Sequence, residues 1–525
     1  MQGRSGPDRE LFDAEAWARH LVPAGSVFAF LADHRRRLFP DEMFADLFPS
    51  SNGRPGLPAD LVASTIVLQS LHSLSDADAV GALRFDLRWK VACGLPVDHG
   101  GFDASSLTYW RRRLARSERP ERIFEVVRQV VAETGVLKGK TRRVLDSTVL
   151  MDAVATQDTV TQLIGAIRRV GRVVSGADTL IAACCTGHDY SKPGKPAITW
   201  DDPDARDALV SALVGDALAL LAALAEQPDG SEQAAAVGLL ALVAGQDVEP
   251  ADGSDGTDGR WRIARAVARD RVISTVDPDA RHVHKSRSVK IDGYKAHLIA
   301  EPDTGIITGC QLTRGGGEGA ADGEAGQALL AADSTITSPA EILGDSAYGT
   351  ADLLSAVVDA GHTPIIKPWP APANIPGGFS PDAFTINHAA GTVTCPAGHT
   401  VPVRTGRTGR RTAAFTEHCA DCPLRTRCTT ANAGRTVTLH THDKLLRAHR
   451  ATATDPVFQA TYRTHRPMIE RTIAWLTRGN RRLRYHGTTK NNLWLHHRAA
   501  AVNLRRLVTL GLTHTDTGWA LTATT

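Results

Sequence analysis

The nine residues Glu341-Ile342-Leu343-Gly344-Asp345-Ser346-Ala347-Tyr348-Gly349 indicate the class of fold more clearly than any other part of the chain. Their short apolar run is typical of the end of a buried strand, Gly344 ends it, and an amphipathic segment follows from Ala351. In an open α/β sheet, ligands and metals bind at the carboxyl ends of strands. Asp345 is therefore a candidate site residue, and partner acids are expected elsewhere in the chain.

Two other stretches supply such acids. Residues 142–150 form a second apolar run, which carries Asp146, and Glu470 lies at the beginning of a strongly helical segment. The residue before a proline is biased away from helix, so this helix is predicted to begin at Pro467 and to leave Arg466 at its start. Asp152 and Asp292 are the nearest alternative acids.

The phrases around these acids, Leu145-Asp146-Ser147-Thr148, Gly344-Asp345-Ser346-Ala347-Tyr348-Gly349 and Arg466-Pro467-Met468-Ile469-Glu470-Arg471, resemble bacterial insertion-sequence transposases with an Asp-Asp-Glu (DDE) site. The resemblance extends from about Arg54 to about Leu507. It implies an α/β catalytic core with a ribonuclease H-like, mixed five-stranded sheet and helices. In that fold the strands of Asp146 and Asp345 are parallel neighbours.

The resemblance implies a catalytic role for Asp146, Asp345, Glu470 and Arg466, with Mg²⁺ (or Mn²⁺) bound by the three acids. Two such ions activate the attacking oxygen and stabilise the leaving oxygen in phosphodiester cleavage, and Mg²⁺ prefers carboxylate and water oxygens. His297 and Lys295 also come near the site in this arrangement, although solvent-facing strand positions explain them equally well.

The match to the family signature is incomplete. Many relatives carry Tyr, two residues, Arg, three residues, Glu, six residues and Lys. Arg466 and Glu470 fit this spacing, whereas Tyr462 lies one place too far upstream. Thr477 stands where the Lys is expected, with Arg478 beside it.

The order of patterns predicts a division into domains. An all-α domain precedes the core, which contains a helical insertion and a Cys-rich insertion; its later strands are expected at 289–299, 305–310 and 362–366. Within the helical insertion, the Asp/Gly-rich residues 249–256 are too polar to fold alone and are expected to be mobile. The predicted ranges are an N-terminal arm at 1–53, a helical DNA-binding domain at 54–135, a catalytic domain at 140–512 with insertions at 153–280 and 370–450, and a tail at 513–525.

In the helical domain, the helix that follows Asp103 carries three consecutive arginines. A helix of this kind reads bases in the major groove in many DNA-binding proteins. A plain helical bundle with solvated arginines fits the pattern equally well. The DNA-contacting residues predicted for this helix are Arg111, Arg112 and Arg113.

Charge is distributed unevenly along the chain. The net charge is +3, but residues 401–510 contain 21 Lys and Arg against 5 Asp and Glu. A basic third of this kind indicates a polyanionic partner such as DNA, although a solvated basic face is the alternative. The predicted phosphate contacts after the Glu470 helix are Arg478, Arg481, Arg482 and Arg484.

Four of the eight cysteines, namely Cys395, Cys419, Cys422 and Cys428, lie in one short stretch. The Cys-x₂-Cys spacing is typical of a metal site, and cytosolic thiols stay reduced, so a structural Zn²⁺ is predicted here. The other cysteines are interpreted as buried apolar side chains.

The resemblance implies a transposase that binds inverted-repeat ends of double-stranded DNA, cleaves them and joins the 3′-hydroxyl to target DNA, as a homodimer in a synaptic complex. No apolar run has the length of a membrane span, and the polar N-terminus does not resemble a secretory signal. A cytoplasmic, nucleoid-associated bacterial protein is expected. The alternatives are a nuclease of the same fold without joining activity and an inactive DNA-binding relic of a transposase.

Overall fold

A computed structural model describes residues 1–6, 12–50, 52–192, 194–224, 230–268, 270–284, 290–479 and 481–522. In the N-terminal part the helices are α1 (Ala14–Ala18), α2 (Val27–Leu38), α3 (Ala59–His72), α4 (Asp76–Phe85), α5 (Leu87–Cys93), α6 (Ser105–Arg116) and α7 (Arg122–Glu133). The middle part comprises β1 (Arg142–Met151), α8 (Thr159–Val173), α9 (Ala177–Cys184), α10 (Pro203–Ala223), α11 (Ser231–Gln246), β2 (Val248–Pro250), β3 (Trp261–Ile263), β4 (Arg281–His284), β5 (Lys290–Ala300), β6 (Ile307–Arg314), α12 (Asp322–Ala332), β7 (Glu341–Gly344), α13 (Ala351–Asp359) and β8 (Thr363–Ile366). The remaining elements are β9 (Thr385–Asn387), β10 (Thr392–Thr394), β11 (Thr400–Pro402), β12 (Arg404–Thr405), β13 (Arg411–Ala414), α14 (Thr416–Cys419), α15 (Arg425–Cys428), β14 (Thr436–Leu439), α16 (Asp443–Thr452), α17 (Pro456–Thr477), α18 (Thr488–Thr509), β15 (Leu512–Thr515) and β16 (Gly518–Leu521).

The part of the chain before β1 is helical, as predicted. Ser75 and Asp78 form a capping box that begins α4. The extended backbone of Asp86 ends α4, and its side chain accepts a hydrogen bond from the Arg88 amide to begin α5. Helix α3 is buried on nearly every side because it packs among α2, α5 and α18.

The central sheet has the strand order β6–β5–β1–β7–β8. Strand β5 is antiparallel to β1 and to β6, whereas β7 is parallel to both β1 and β8. Strand β4 pairs with the first residues of β5, on the edge that β6 continues, so the sheet has six strands among the described residues where five were predicted. Of the predicted strand at 289–299, residue 289 lies outside the described residues; β5 covers the rest. The protein is thus a mixed α/β fold.

Helices cover both faces of this sheet. Val144 and Leu298 belong to a large core that they share with α17, α18 and the N-terminal helices. Leu145 and Ile299, which alternate with them, pack on the other face with residues of α12 and α13. Because side chains alternate along a strand, Asp146 points to the same face as Val144, toward α17.

The two insertions have hydrophobic cores of their own. Helices α8 to α11 enclose one core, and the Cys-rich segment encloses a smaller one around Phe384 and Phe415. The prediction that residues 249–256 cannot fold was wrong. They lie in the β2–β3 hairpin, where the Ala251 amide donates to the Arg260 carbonyl and Arg262 pairs with Glu249 and Asp252.

The helix that carries Glu470 is longer than predicted. Asp455 caps its first turn, and α17 passes through Pro467 without ending. Pro467 removes one backbone hydrogen bond, but α17 is held along its length by packing against β1, β7, β8 and α18. Arg466 and Glu470 therefore lie in the middle of one helix, one turn apart.

The C-terminal segment predicted as a tail contains the β15–β16 hairpin. Trp519 in this hairpin packs edge-on against His34 of α2, with ring centroids 5.5 Å apart. Among the helices of the described ranges, none combines the length and apolar character that crossing a bilayer requires.

Candidate active site

Asp146, in the middle of β1, and Asp345, directly after β7, lie level with each other on neighbouring strands. Val144 of β1 pairs with Leu343 of β7 in parallel register, and continuing that register by two residues sets Asp146 beside Asp345. Asp146 accepts a hydrogen bond from the Ser147 amide at 2.8 Å, and Asp345 accepts one from the Ala347 amide at 3.0 Å. Local backbone donors thus orient each carboxylate.

A guanidinium group lies between the two carboxylates. Arg466 Nη1 is 2.9 Å from Asp146 Oδ2, and Arg466 Nη2 is 3.9 Å from Asp345 Oδ2. The Nη1 hydrogens are not aimed at a carboxylate oxygen, so the close contact is an ion pair rather than a well-directed hydrogen bond. Burial raises the pKa of Asp146, and the positive charge of Arg466 acts in the opposite direction.

Glu470 lies one helical turn after Arg466, and its side chain is exposed. Residues four apart on a helix share a face, with Cβ atoms about 6 Å apart. Within the described ranges Glu470 has no ion-pair partner, and Asp146, Asp345 and Glu470 are not grouped as a set that could hold a metal ion. The structure brings Asp146, Asp345 and Arg466 into contact and leaves Glu470 one turn away.

Tyr462 lies one turn before Arg466 on α17 and is half-buried. It is close enough to Arg466 and both aspartates for their charges to act on its phenol, although burial is the main reason that its pKa is raised. Its position four residues before Arg466 keeps it on the same helical face. Thr477, in contrast, is buried and donates to the Ile473 carbonyl, whereas the neighbouring Arg478 is exposed.

A buried polar network on the opposite face of the sheet supports the strands that carry the two aspartates. Asp322, at the start of α12, accepts hydrogen bonds from Ser147 Oγ at 2.6 Å and from Lys295 Nζ at 2.5 Å. His297 is fully buried beside Tyr348 and Asp322. Burial lowers the pKa of His297 to about 4, so its ring is neutral at pH 7.

Sequence reasoning missed Asp322. Nothing in the local pattern singled it out, because it is one of several acids in a Gly-rich stretch and its partners lie on two distant strands. The network also decides the question about Lys295 and His297. They face α12 and its acid, not solvent.

The alternative acids form a separate group at the far end of β1. The Asp152 amide donates to the Asp292 carbonyl, and Asp292 accepts from Thr156 and pairs with His282 Nδ1 at 2.5 Å. Asp152 is buried, which raises its pKa. Arg466 lies beside both Asp146 and Asp345. Among the described residues, neither Asp152 nor Asp292 shares a cation with Asp146 in this way.

The arginines of α6 differ in what they contact. Arg111 forms an ion pair with Asp76 and stacks over the ring of Tyr485 at 5.2 Å, and Arg113 donates to the Leu47 carbonyl. Arg112 is exposed. Of the three predicted DNA contacts on this helix, Arg112 alone presents its guanidinium to solvent, whereas Arg111 and Arg113 hold the helix in place.

The Arg-rich segment after α17, which carries Arg478, Arg481, Arg482 and Arg484, borders the central sheet. The Met151 amide at the end of β1 donates to the Arg481 carbonyl, and the Leu483 amide donates back to the Met151 carbonyl. Arg484 donates to the Ser73 carbonyl at the end of α3. The four predicted phosphate contacts of this segment (Arg478, Arg481, Arg482 and Arg484) are all exposed.

The four clustered cysteines line a single apolar cavity in the Cys-rich segment. The Arg435 amide donates to Cys419 Sγ at 3.4 Å, and burial raises the pKa of the Cys428 thiol. However, no group of three or more His, Cys, Asp or Glu side chains in the described residues is arranged to hold a metal ion. The cysteines share a cavity, but a zinc ligand set is not assembled in it.

Two protein-family models match the chain. One, described as a transposase domain (DUF772), matches residues 18–113, and the other, described as a transposase DDE domain, matches residues 394–508. The two matches support a DDE-type insertion-sequence transposase. No curated protein and no solved structure matches the chain significantly.

The two matches cover particular parts of the chain. The first begins within α1 and ends within α6, so it includes α2 from the predicted N-terminal arm as well as the Arg-rich helix. The second includes the four clustered cysteines, Arg466, Glu470 and the Arg-rich segment. Asp146 and Asp345 lie outside both matches, and their pairing comes from the sheet register.

Proposed function

We propose that the chain is the DNA transposase of a bacterial insertion sequence, acting on the cytoplasmic nucleoid. It binds the inverted-repeat ends of its element, cleaves the phosphodiester to free a 3′-hydroxyl, and joins that hydroxyl to target DNA. The observation that carries this proposal is the level placement of Asp146 and Asp345 beside the α17 face that carries Arg466 and Glu470.

The proposal includes a ribonuclease H-like core. It is supported by the strand order β6–β5–β1–β7–β8, in which the first strand has an antiparallel neighbour on one side and a parallel neighbour on the other. The helical insertion then separates the first strand of this core from its antiparallel neighbour, and the Cys-rich insertion precedes the helix of the final acid.

The residues fit a divalent metal of the Mg²⁺ or Mn²⁺ type. The Asp146 and Asp345 carboxylates already face a common cation, the Arg466 guanidinium, and they offer the hard oxygen ligands that Mg²⁺ prefers. When bound, such ions activate the attacking oxygen and stabilise the leaving oxygen of the phosphodiester. Asp146, Asp345 and Glu470 would hold them.

The protein's own groups then have distinct tasks. The Ser147 and Ala347 amides fix the directions of the two carboxylates, and the Asp322 network holds β1 against β5 and α12. Helix α17 carries Glu470 on the face that already contacts the aspartates through Arg466. Positioning of this kind allows the acids to act together without large rearrangement of the sheet.

DNA would approach along the end of β1. From Asp146 to Met151 a strand extends about 17 Å, at about 3.3 Å per residue. The Arg-rich segment lies against Met151, where its exposed arginines border the path of a duplex whose scissile phosphate is at Asp146. Because the element has two ends and each needs an active site, a synaptic homodimer is the assembly that we expect.

The Cys-rich cavity remains a proposed zinc site. Its segment has a small core of eight buried side chains, and small units of this kind often require a metal or disulfide for stability. The four thiols line the same cavity, but they would have to approach one another to form a ligand set.

Incubation of the purified protein with Mg²⁺ and a duplex containing one element end with its flank tests the proposal. Joined products support a transposase. Nicks without joining indicate the nuclease alternative, and binding without cleavage indicates the inactive relic. The replacement of the signature Lys by the buried Thr477 is the observation that favours these alternatives.

A further inference from the structure

We propose that Arg466 is the resident counter-ion of Asp146 and Asp345 and excludes divalent metal until a DNA phosphate takes the guanidinium away. This inference rests on the proposed function, since it concerns the same carboxylates. Metal and DNA would then bind cooperatively, and a transposase without DNA would hold little metal at this site.

Arg466 occupies the region between the carboxylates of Asp146 and Asp345. Its guanidinium lies 2.9 Å from one carboxylate oxygen and 3.9 Å from another, on different strands. A cation that binds both aspartates needs the same region. Arginine keeps its charge at every physiological pH, so the two cations exclude each other unless Arg466 moves.

Without Arg466, Asp146 and Asp345 would repel each other. The Asp146 side chain is only 9% exposed, and two carboxylates that approach each other in a partly buried site repel. The guanidinium compensates this repulsion in the metal-free protein. It therefore stabilises the two aspartates beside each other and lowers their combined charge from −2 to −1, which weakens the attraction for a stray cation.

When metal displaces Arg466, its guanidinium needs a new anionic partner. Its side chain is 12% exposed, so a guanidinium displaced by metal would lose its partners in a largely buried place. Such a charge needs a new anion, and arginine binds phosphate through two parallel hydrogen bonds. The long side chain of Arg466 lies on the face of α17 that also carries the exposed Glu470, where the DNA backbone is expected.

The contact is suited to this exchange. The Nη1 hydrogens are not directed at Asp146, and the second contact to Asp345 is long. Arg466 thus gains Coulombic attraction without the added strength of a bidentate arginine–carboxylate pair. A phosphate that offers better geometry can compete for it.

Mn²⁺ binding to the full-length protein tests the proposal without measuring activity. The bound fraction is measured from the loss of the paramagnetic resonance signal of the free ion. The DNA is a duplex that stops at the element terminus, so that it contains no bond to cleave. We expect the duplex to tighten Mn²⁺ binding about 10–100-fold, within the usual range of coupling between two sites. In Arg466→Met, Mn²⁺ should bind without DNA about 10–100-fold more tightly than in the wild type, and the duplex should add less than about twofold.

The exposed Arg463 on the same helix provides the matched control. Arg463→Met removes an equal charge outside the aspartate contact and should leave both the Mn²⁺ affinity and its dependence on DNA unchanged. Arg466→Lys keeps the charge and should stay near the wild type. If Arg466→Met fails to fold, Arg466→Gln answers the same question, because it removes the charge and retains hydrogen-bond donors.

The proposal is overturned if Arg466→Met binds Mn²⁺ no more tightly than Arg463→Met does in the absence of DNA. Asp345→Asn separates this failure from failure of the proposed function. If Asp345→Asn binds as much Mn²⁺ as the wild type when the duplex is present, the metal does not bind at the aspartates and the function itself is in error. If it loses Mn²⁺ while Arg466→Met behaves as the wild type, only the role of Arg466 is rejected.

Discussion

Asp146 and Asp345 lie level with each other on neighbouring parallel strands, because Val144 pairs with Leu343 two residues earlier on each strand. The chain between them contains an entire helical insertion with its own core. Their proximity therefore results from the pairing of β1 with β7 and not from closeness in the sequence.

Asp345→Asn should abolish DNA cleavage while leaving DNA binding within about twofold of the wild type. Loss of a metal-binding carboxylate removes several kcal/mol of transition-state stabilisation, which corresponds to a rate decrease of about 10³-fold or more. Cleavage of an end-containing duplex and gel-shift binding measure the two properties. Asp352→Asn, at an exposed position on the following helix, is the control. Retained cleavage in Asp345→Asn would indicate that Asp152 or Asp292 acts in place of Asp345.

The arginines of α6 should separate by function. Arg112→Ala should weaken the preference for element ends over random DNA with little change in stability, because its side chain is exposed. Arg111→Ala should instead destabilise the protein by about 1–3 kcal/mol, because it removes a charged hydrogen-bond partner of the partly buried Asp76. Thermal melting and competition binding distinguish the two effects. Equal effects on melting would contradict this assignment.

Replacement of Arg481 and Arg482 by Ala should flatten the salt dependence of DNA binding. Each phosphate contact contributes about −0.9 to the slope of log affinity against log salt concentration. The double variant should reduce the slope by about one to two units and weaken all sequences alike. Arg172→Ala, an exposed site on the helical insertion, should leave the slope unchanged. An unchanged slope in the double variant would show that these arginines are only solvated surface charge.

Stability should fall as the pH decreases from about 6.5 toward 4. Burial lowers the pKa of His297 to about 4 and that of His497 to about 3, whereas both are near 6.5 when the chain is unfolded. Between these values the unfolded chain binds more protons than the folded one, so acid favours unfolding. Melting temperatures across this range measure the loss. His497→Gln should reduce it, and a loss of the same size in that variant would exclude His497 as a cause.

Metal analysis of the purified protein under reducing conditions should show about one zinc per chain, held by four thiolates. Replacement of Cys419 and Cys422 by Ser should remove it and lower the melting temperature. Replacement of the buried Cys93, far from the cavity, by Ala should leave the zinc content unchanged. Protein without zinc would agree with the absence of an assembled ligand group in the described residues and would reject the site.

The sequence by itself determined most of the elements that carry the site. Hydrophobic periodicity and capping residues are local, so α6, β7 and β8 occur close to where the pattern predicts them. The same local signals identified Asp146, Asp345, Arg466 and Glu470 by their context. They failed at Pro467, where a local rule predicted the beginning of a helix, because packing on the sheet keeps α17 continuous.

Only the tertiary structure decided which of these side chains meet. Contacts such as Arg466 with Asp146, Asp322 with Lys295, and Arg111 with Asp76 join distant parts of the chain. The energy of a charge depends on its burial and its partners, neither of which a sequence pattern specifies. For this reason the sequence could name an arginine as a DNA contact, but only the packed structure could show that Arg111 already has an acid to bind whereas Arg112 faces solvent.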